Sequence, residues 1–322
     1  MNSFGSKFRI SIFGESHGTA IGVVIDGVPP GVELSEDDLR GDIARRKSGA
    51  RGTTQRKEAD VPYILSGTYN GRTTGAPLTV LFHNKNTVSG DYKNLADHPR
   101  PSHADFVAAR KYLGFNDPRG GGHFSGRITL PLVAAGAVAK KLLKGISIEA
   151  RTVAIGGSSD PVQFDRIVSA ALADGDSVGG IVECRATGLP VGLGEPFFDS
   201  VEGLVSHLVF AIPAVRGIEF GNGFGAAALR GSQNNDMIVS ESGLTATNNA
   251  GGINGGVTNG NDMVFRVAIK PTPSIALPQQ TFNTRTGRVE TLEIRGRHDA
   301  CIALRAPVVV EAALAIALAQ FI

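Results

Sequence analysis

The sequence predicts an α+β fold, and three observations support this prediction. Segments with strand-like and helix-like patterns are both present, but they do not alternate regularly as they would around a parallel sheet. Hydrophobic residues make up 42% of the 322 residues, which is enough for a sizeable core. The 42 glycines and 16 prolines stay below the share typical of low-complexity disorder. Since no linker divides the chain, we expect a single domain over residues 1–322.

The elements follow from local patterns along the chain. Residues 8–26 have the pattern of strands around a GESHG turn, and the SEDD capping box begins a helix that ends in the basic run RRK. Further helices are predicted at 103–113, 132–143, 162–173 and 201–210, and the clearest one, rich in Ala and Leu, at 306–321. Strands are predicted at 63–65, 78–82, 180–184 and 264–269. Segment 22–31 is faintly similar to 179–194, as a duplicated unit would be.

Composition excludes several classes of protein. The net charge of +2 lacks the basic excess of a nucleic-acid-binding protein. The longest uncharged apolar stretch, 130–139, is too short to span a bilayer, and the N-terminus has no apolar signal region. Cys184 and Cys301 match no metal-ligand spacing and no disulfide framework. We therefore expect a cytoplasmic protein without a membrane or nucleic-acid partner and without a metal.

Four of the seven histidines lie in short patches rich in Gly, Ser or Arg, namely GESHG, RPSHAD, RGGGHFSGR and GRHDA. His17, in a glycine-flanked turn, fits either a general acid or an imidazole that stabilises the turn. His103, at a predicted helix start, fits either an anion site or a structural histidine. The pair His298 and Asp299 fits either a cleft or a solvated charged turn.

Arginine outnumbers lysine by 22 to 10. Its planar guanidinium binds carboxylate and phosphate in a bidentate manner, so the excess indicates anionic ligands or a compositional bias. The run RRKSGARGTTQRKEAD, which contains Arg45, Arg46, Arg51 and Arg56, fits either a loop around an anion or a solvated face. Taken together, the patches indicate an acid/base site for a small molecule with several negative charges.

In their order along the chain, these patches resemble those of the chorismate synthase family. The resemblance includes GESHGTAIGVVIDGVPPG, RGGGHFSGRITLPLVAAGAVAKK and GRHDACIALRAPVVVEAALA, with TTQRKEAD, ILSGTYNGRTTGAPL, ALRGSQNND, AGGINGG and IKPTPS between them. It implies a β-α-β sandwich with internal pseudo-symmetry. It also implies a carbon–oxygen lyase of the shikimate pathway that converts 5-enolpyruvylshikimate-3-phosphate into chorismate by anti-1,4-elimination. Reduced FMN is required by the family and is not consumed overall.

The resemblance also implies partners and roles for residues. The chain should be monofunctional and homotetrameric, with an external flavin reductant and NADPH as an indirect source of electrons. His17 resembles the histidine that protonates the departing phosphate, His103 the one near flavin N1 and the C2 carbonyl, and Asp299 the carboxylate near flavin N5. The substrate-binding residues are Arg46, Arg51, Arg100, Arg127 and Arg297, of which Arg46 and Arg51 also resemble positions that contact a pyridine nucleotide. The FMN-binding residues are His123, Phe124, Ser125, Pro213, Ala214, Gly255, Lys270, Pro271, Thr272, Pro273, Ser274 and Arg297.

The chain departs from the family pattern at several of these positions. The family usually has RSSARE where this chain has HFSGRI at 123–128, and glycine where it has Ser102. Ala300 replaces a usual proline, and Pro213 stands where asparagine is frequent. Two other functions fit these departures: a flavin-dependent oxidoreductase on the same scaffold, and a non-catalytic protein that binds FMN or a phosphorylated metabolite.

Overall fold

A computed structural model of the chain describes residues 1–49, 52–53, 59–85, 97–294 and 298–322. The strands of the described residues are β1 (Ser3–Phe4), β2 (Arg9–Gly14), β3 (Ala20–Asp26), β4 (Tyr63–Ser66), β5 (Thr68–Tyr69), β6 (Arg72–Thr73), β7 (Leu78–His83), β8 (Ser147–Ile155), β9 (Gly180–Thr187), β10 (Val215–Phe220), β11 (Ile253–Asn254), β12 (Val257–Thr258), β13 (Met263–Ile269), β14 (Gln279–Asn283) and β15 (Arg288–Leu292). The helices are α1 (Glu36–Arg46), α2 (Asp105–Lys111), α3 (Thr129–Leu142), α4 (Phe164–Ala173), α5 (Val201–Ala211), α6 (Gly231–Asn234) and α7 (Pro307–Leu318).

Two antiparallel sheets form the outer layers of the molecule. The first has the strand order β1-β2-β3-β7-β4 and the second β10-β13-β9-β8. On β3, Ile21, Val23 and Ile25 are fully buried, because alternate side chains of a strand point to the same face. The pairs β5–β6, β11–β12 and β14–β15 form separate two-stranded ribbons.

Helices α3 and α7 form the layer between the sheets. Helix α3 packs on β3 and β7, α7 packs on β8 and β9, and the two helices pack on each other, with α1 beside α3 and α5 beside α7. Every residue of α7 from Val308 to Leu318 is buried, as expected for a helix that is apolar all round. An ideal Cβ at Gly136 would lie 2.3 Å from Cβ of Ala312, so glycine permits this close helix crossing. The predicted α+β class is confirmed, and the layers are those of a β-α-β sandwich.

A buried carboxylate ties α1, α3, α7 and β8 together. Glu311 is 1% exposed and accepts hydrogen bonds from Nη1 and Nη2 of Arg45 at 2.7 and 2.6 Å, from Nζ of Lys140 at 2.8 Å and from the backbone N–H of Ala150 at 2.9 Å. Burial raises the pKa of Glu311, but the hydrogen bonds from Arg45 and Lys140 lower it further, so that it stays below its usual value. This network fixes the C-terminal end of α1, where the next residue, Arg46, turns toward a cavity.

Most predicted elements are present with shifted ends. Helix α3 begins at Thr129, three residues before its predicted start, and α2 begins at Asp105 rather than 103, because Ser102 has a φ of +58° and interrupts helical geometry. The sequence patterns missed β8, β10 and the ribbons β5–β6, β11–β12 and β14–β15. The Ser35 capping box is confirmed, with Asp38 accepting from the backbone N–H of Ser35 at 2.8 Å.

Candidate functional site

A cavity of about 1100 Å³ opens where the C-terminal end of α1, the starts of α3 and α7, and segments 100–104 and 270–274 meet. Within the described part of the chain, its charged lining holds seven Lys and Arg side chains and two carboxylates, Asp60 and Asp299. This is a larger positive excess than the +2 of the whole chain. The basic residues are Arg46, Lys47, Arg100, Arg127, Arg216, Lys270 and Arg305.

We call Arg46, Arg127, Arg305, Asp60 and Asp299 the cationic cluster. Nη1 of Arg127 lies 3.0 Å from Oδ1 of Asp60, and Nη1 of Arg46 lies 3.8 Å from Oδ2 of the same carboxylate. Nη2 of Arg305 donates to Oδ2 of Asp299 at 2.5 Å. Three guanidinium groups thus face two carboxylates, and the sequence motifs had assigned neither Arg305 nor Asp60 to the site.

Arg46 is the most strongly perturbed cation of the cationic cluster. It is 6% exposed, and its Nε donates to Oγ1 of Thr129 while Nη2 donates to the carbonyl of Gly126, both at 2.9 Å. Burial, together with the positive charges of Arg305 and Arg127, lowers the pKa of Arg46 to about 9. An anion bound beside Arg46 would offset this loss, so the arrangement favours anion binding.

Arg127 is tied to the turn that carries His17. Its Nε donates to Oδ1 of Asn84 at 2.6 Å, and Nδ2 of Asn84 donates to the carbonyls of Glu15 and Gly18 at 3.1 and 2.8 Å. Asn84 follows the last residue of β7, which places it beside the turn after β2. A guanidinium and a histidine from distant parts of the sequence are therefore held by one amide side chain.

His17 is not among the described residues that line the cavity, but it lies directly behind Gly120, which does line it. It is 6% exposed, and an ideal Cβ at Gly120 would lie 2.9 Å from its Nε2, while Gly120 and Ser16 line the cavity. Gly120 has a φ of +59°, so a side chain there would be both strained and in collision with His17.

Asp117 is a carboxylate near this turn. Hydrogen bonds from Arg119, and to a smaller extent the charge of His17, lower the pKa of Asp117.

We call Arg100, His103, Asp105 and Ser274 the Asp105 network. Nε and Nη2 of Arg100 donate to the two oxygens of Asp105 at 2.7 and 2.8 Å, and Nη1 donates to Oγ of Ser274 at 3.0 Å. Nδ1 of His103 lies 2.6 Å from Oδ1 of Asp105. Burial raises the pKa of Asp105, but the hydrogen bonds from Arg100 and His103 lower it well below its usual value. A carboxylate that holds Nδ1 leaves Nε2 of His103 for a ligand.

Segment 270–274 carries a donor set suited to a phosphate. Lys270, Thr272, Pro273 and Ser274 line the cavity, and Nζ of Lys270 donates to the carbonyl of Ser102 at 2.5 Å. Among the described residues, Oγ1 of Thr272 is buried without a hydrogen-bond partner. A buried hydroxyl of this kind is usually satisfied by a protein group, water or a ligand, so this segment fits the flavin phosphate that the sequence predicts there.

The other predicted FMN contacts divide into two groups. His123, Phe124, Ser125, Pro213 and Ala214 line the cavity, and Nδ1 of His123 lies 2.7 Å from the carbonyl oxygen of Gly14. Two more positions, Pro271 and the ribbon-turn residue Gly255, are not among the described residues that line it. Arg51 and Arg297 lie outside the described residues, so the substrate and FMN contacts predicted for them remain predictions.

Backbone strain is concentrated at this cavity. Six non-glycine residues in the described part of the chain have a positive φ, and three of them, Asp60 (+47°), Ser102 (+58°) and Ala214 (+75°), line the cavity. Such conformations cost about 1–3 kcal/mol each and tend to cluster at functional sites. The resemblance described above implies glycine at position 102, a residue that adopts this conformation without cost.

Sequence reasoning missed four residues that organise the site: Asp60, Asn84, Asp105 and Arg305. Asp105 and Arg305 stand inside quoted motifs, RPSHAD and CIALRAP, and Asp60 ends TTQRKEAD. A signal was therefore present for three of them, but the partner of each depends on which segments meet in the fold. Asn84 gives no signal in the sequence beyond its place after a strand.

Two features of the described residues are relevant to the expected absence of a metal and of a membrane partner. In the part of the chain that the structure describes, no group of His, Cys, Asp and Glu side chains is arranged to hold a metal ion. No helix among the described residues combines the length and apolar character that crossing a membrane requires.

Comparison with known proteins yields consistent matches. The family model described as chorismate synthase matches residues 8–322. A chorismate synthase from Chitinophaga pinensis is 59% identical over 100% of this chain and 96% of its own length, and one from Thermococcus kodakarensis is 46% identical over 98% and 96%. A crystal structure of chorismate synthase superposes with a TM-score of 0.76 at 29% identity, covering 99% of this chain and 92% of that one.

Proposed function

Since the chain belongs to the chorismate synthase family, we propose that its cavity converts 5-enolpyruvylshikimate-3-phosphate into chorismate, the reaction of carbon–oxygen lyase EC 4.2.3.5. The observation that carries this proposal is the excess of seven basic side chains over two carboxylates among the described lining residues. The substrate bears two carboxylates and a phosphate, and guanidinium groups match both kinds of anion in bidentate geometry. The whole chain then acts as one catalytic domain.

The arginines of the cationic cluster bind and orient the substrate. The side chains of Arg46 and Arg127 are each 8% exposed and line the cavity, where a substrate anion would add to the contacts that Asp60 makes with both. Arg305 adds a third guanidinium, whose Nε is buried without a hydrogen-bond partner among the described residues. Arg51 and Arg297 join this set, and Arg46 and Arg51 also contact NADPH, by family resemblance.

Proton handling falls to two histidines and a carboxylate. His17 donates a proton to the phosphate oxygen as the C3–O bond breaks, which neutralises the leaving group. His103, oriented by Asp105, presents Nε2 to the reduced cofactor and stabilises its negative charge. Asp299, held by Arg305, accepts the proton that originates at C6 of the substrate.

Reduced FMN is the cofactor of this proposal. When bound, it would supply electron density to the substrate as phosphate leaves and would provide an acceptor for the C6 hydrogen, which is not acidic enough for an ordinary base. Lys270 and the hydroxyls of Thr272 and Ser274 hold its phosphate. The chain obtains reduced flavin from an external reductant, with NADPH as the indirect source of electrons.

The test is an anaerobic turnover experiment. The protein is mixed with chemically reduced FMN and 5-enolpyruvylshikimate-3-phosphate, and chorismate absorbance and free phosphate are followed together. We expect equal amounts of both products over many turnovers per flavin, and none with oxidised FMN. One product per flavin consumed would indicate an oxidoreductase instead, and tight flavin binding without any product would indicate a binding protein.

His17→Ala tests the role of the general acid. We expect kcat to fall by about 10²–10⁴-fold while FMN affinity is retained, since one positioned acid contributes about this much. A collapse of FMN affinity with turnover intact in the bound state would contradict the assignment.

We also propose a cytoplasmic homotetramer. The support is the family resemblance, together with exposed phenylalanines such as Phe197 and Phe198 (87% and 94% exposed), which assembly would cover. Light scattering after gel filtration measures the mass directly, and a monomer at micromolar concentration would contradict the proposal.

A further inference from the structure

Asp60 is an anion of the protein inside the region that we expect to bind anions. Its side chain is 3% exposed, with Oδ1 at 3.0 Å from Nη1 of Arg127 and Oδ2 at 3.8 Å from Nη1 of Arg46. All three residues line the cavity. Asp60 therefore offsets part of the charge of two guanidinium groups before a ligand arrives.

The backbone of Asp60 adds to the cost of keeping a carboxylate there. Its φ of +47° lies in the left-handed region, which asparagine and glycine adopt at least as readily and without a charge. Burial of a carboxylate is also unfavourable unless it is paired. Among the described residues, the contacts with Arg127 and Arg46 offset both costs, so the charge of Asp60, more than its shape, accounts for its presence.

A ligand anion at Arg127 and Arg46 has to share them with Asp60. Like charges close together in a buried site repel strongly, because solvent screens them little. The repulsion acts on any anion in this region, including a phosphate that has left its substrate and carries no further contacts. A bound substrate, by contrast, has two carboxylates with which to make additional contacts.

We propose that Asp60 is an internal counter-anion that sets the affinity of the cavity for phosphate. It keeps Arg127 and Arg46 oriented in the absence of ligand and competes with phosphate for them, so that phosphate is released after the C–O bond breaks. This inference rests on the proposed function, because it takes the cavity to bind a substrate that carries phosphate.

Calorimetric titration with inorganic phosphate tests the proposal without flavin or substrate. Asp60→Asn keeps the size of the side chain and an oxygen that accepts from Arg127, and asparagine adopts the positive φ. We expect phosphate to bind the variant about tenfold more tightly than the wild type, and turnover to become about tenfold more sensitive to inhibition by added phosphate. Because the titration needs no catalysis, its result is separate from that of the anaerobic turnover experiment.

Asp26→Asn is the matched control. Asp26 also pairs with an arginine, Arg9, at 3.0 Å, but it lies outside the cavity lining, so the variant makes the same change in net charge elsewhere. Its phosphate affinity should equal that of the wild type. Asp60→Gly, which removes the charge and adopts the positive φ freely, provides the same measurement if the asparagine variant does not fold.

Three results would overturn the proposal. Equal or weaker phosphate binding by both Asp60 variants would mean that Asp60 acts only by holding Arg127. Equal tightening in Asp26→Asn would assign the effect to overall charge. If neither the wild type nor the Asp60 variants bound phosphate, Asp60 could not be setting the affinity of the cavity for phosphate.

Discussion

Arg46 and Arg100 line the same cavity and are equally buried, at 6% exposure each, but their charge environments are opposite. Arg100, in the Asp105 network, meets both oxygens of Asp105 within 2.8 Å. Arg46 belongs to the cationic cluster. Among the described residues, its carboxylate contact is with Asp60, whose Oδ2 lies 3.8 Å from Nη1 of Arg46. The protein itself therefore compensates the charge of Arg100, whereas in our proposal the substrate completes the compensation of Arg46.

This difference separates two uses of a buried arginine. A compensated guanidinium orients its neighbours: Arg100 fixes Asp105 and Ser274 directly, and Asp105 in turn holds His103. A guanidinium with too little negative charge around it raises the free energy of the site without ligand. It lowers the free energy of the complex with an anion. Burial alone therefore does not identify an arginine that binds a ligand. The distance from its guanidinium to the nearest carboxylate does.

The largest expected effect comes from removing the compensated cation. Arg100→Met removes both guanidinium contacts of Asp105 and leaves His103 as its remaining side-chain partner among the described residues. We expect the free energy of unfolding to fall by about 3–5 kcal/mol, the usual consequence of breaking a buried ion pair. Urea unfolding measures it, and a loss below about 1 kcal/mol would show that Arg100 is not a structural residue.

Arg46→Met is the matched variant in the cationic cluster. After its removal, Oγ1 of Thr129 still donates to the carbonyl of Gly126 at 2.7 Å and Asp60 still contacts Arg127 at 3.0 Å, so these buried partners of Arg46 each retain another contact. We expect KM for the substrate to rise by about 10²-fold, as for loss of a charged bidentate contact, while the free energy of unfolding changes by less than about 1 kcal/mol. An unchanged KM would remove Arg46 from the substrate site, and a large loss of stability would erase the contrast with Arg100.

The Asp105 network and the cationic cluster should also differ in how they affect the stability of the protein at acidic pH. The folded-state pKa of Asp105 lies below its unfolded value of about 3.9, so Asp105 contributes stability that is present above about pH 4 and is lost as the pH falls below it. Asp105→Asn removes this contribution. We expect the variant to be less stable than the wild type at pH 6 and the two melting temperatures to converge toward pH 2. A constant difference across this range would mean that the charge of Asp105 does not stabilise the network.

The smallest effect concerns strain beside the Asp105 network. Ser102 has a φ of +58°, and its carbonyl accepts from Lys270. Ser102→Gly removes the strain while keeping that carbonyl, so we expect the free energy of unfolding to rise by about 0.5–1 kcal/mol. Ser102→Ala, which keeps a Cβ in the left-handed region, should give no increase. Thermal unfolding of both variants compares them, and equal effects would contradict the strain argument.

The fold was predictable where local patterns and burial agree. Helix α7 and residues 130–139 of α3 are almost entirely apolar, and β3, β7 and β13 are mainly apolar apart from residues such as Thr79 and Arg266, so each gave a clear sequence signal. Strand β8 was missed because it is an edge strand whose Glu149 and Arg151 lie on its open face and break the apolar pattern. The ribbon β14–β15 is rich in polar residues and is held by tertiary contacts, such as His98 with Glu290 at 3.0 Å, which no local pattern reveals.

The site was predictable in its cations and histidines, but less so in its carboxylates. Glycine-rich patches around His17, His103 and Arg127 pointed to a ligand, and these residues meet at one cavity or its wall. Asp60 and Asn84 escaped notice because their roles depend on contacts with Arg127, 67 and 43 positions away in the chain. Charge compensation is a property of the assembled molecule, and sequence motifs record only one side of each pair.

The crossing of α3 and α7 at Gly136 and Ala312 constrains how this sequence can diverge. A methyl group at position 136 would collide with both Cα and Cβ of Ala312, so the two helices would have to separate. Since each helix packs on a different sheet, that separation would also move Arg127, just before α3, away from Arg305, just before α7. Even glycine at 312 would keep the Cα that a methyl group at 136 meets at 2.4 Å, so we expect position 136 to remain glycine during evolution although it is remote from the chemistry.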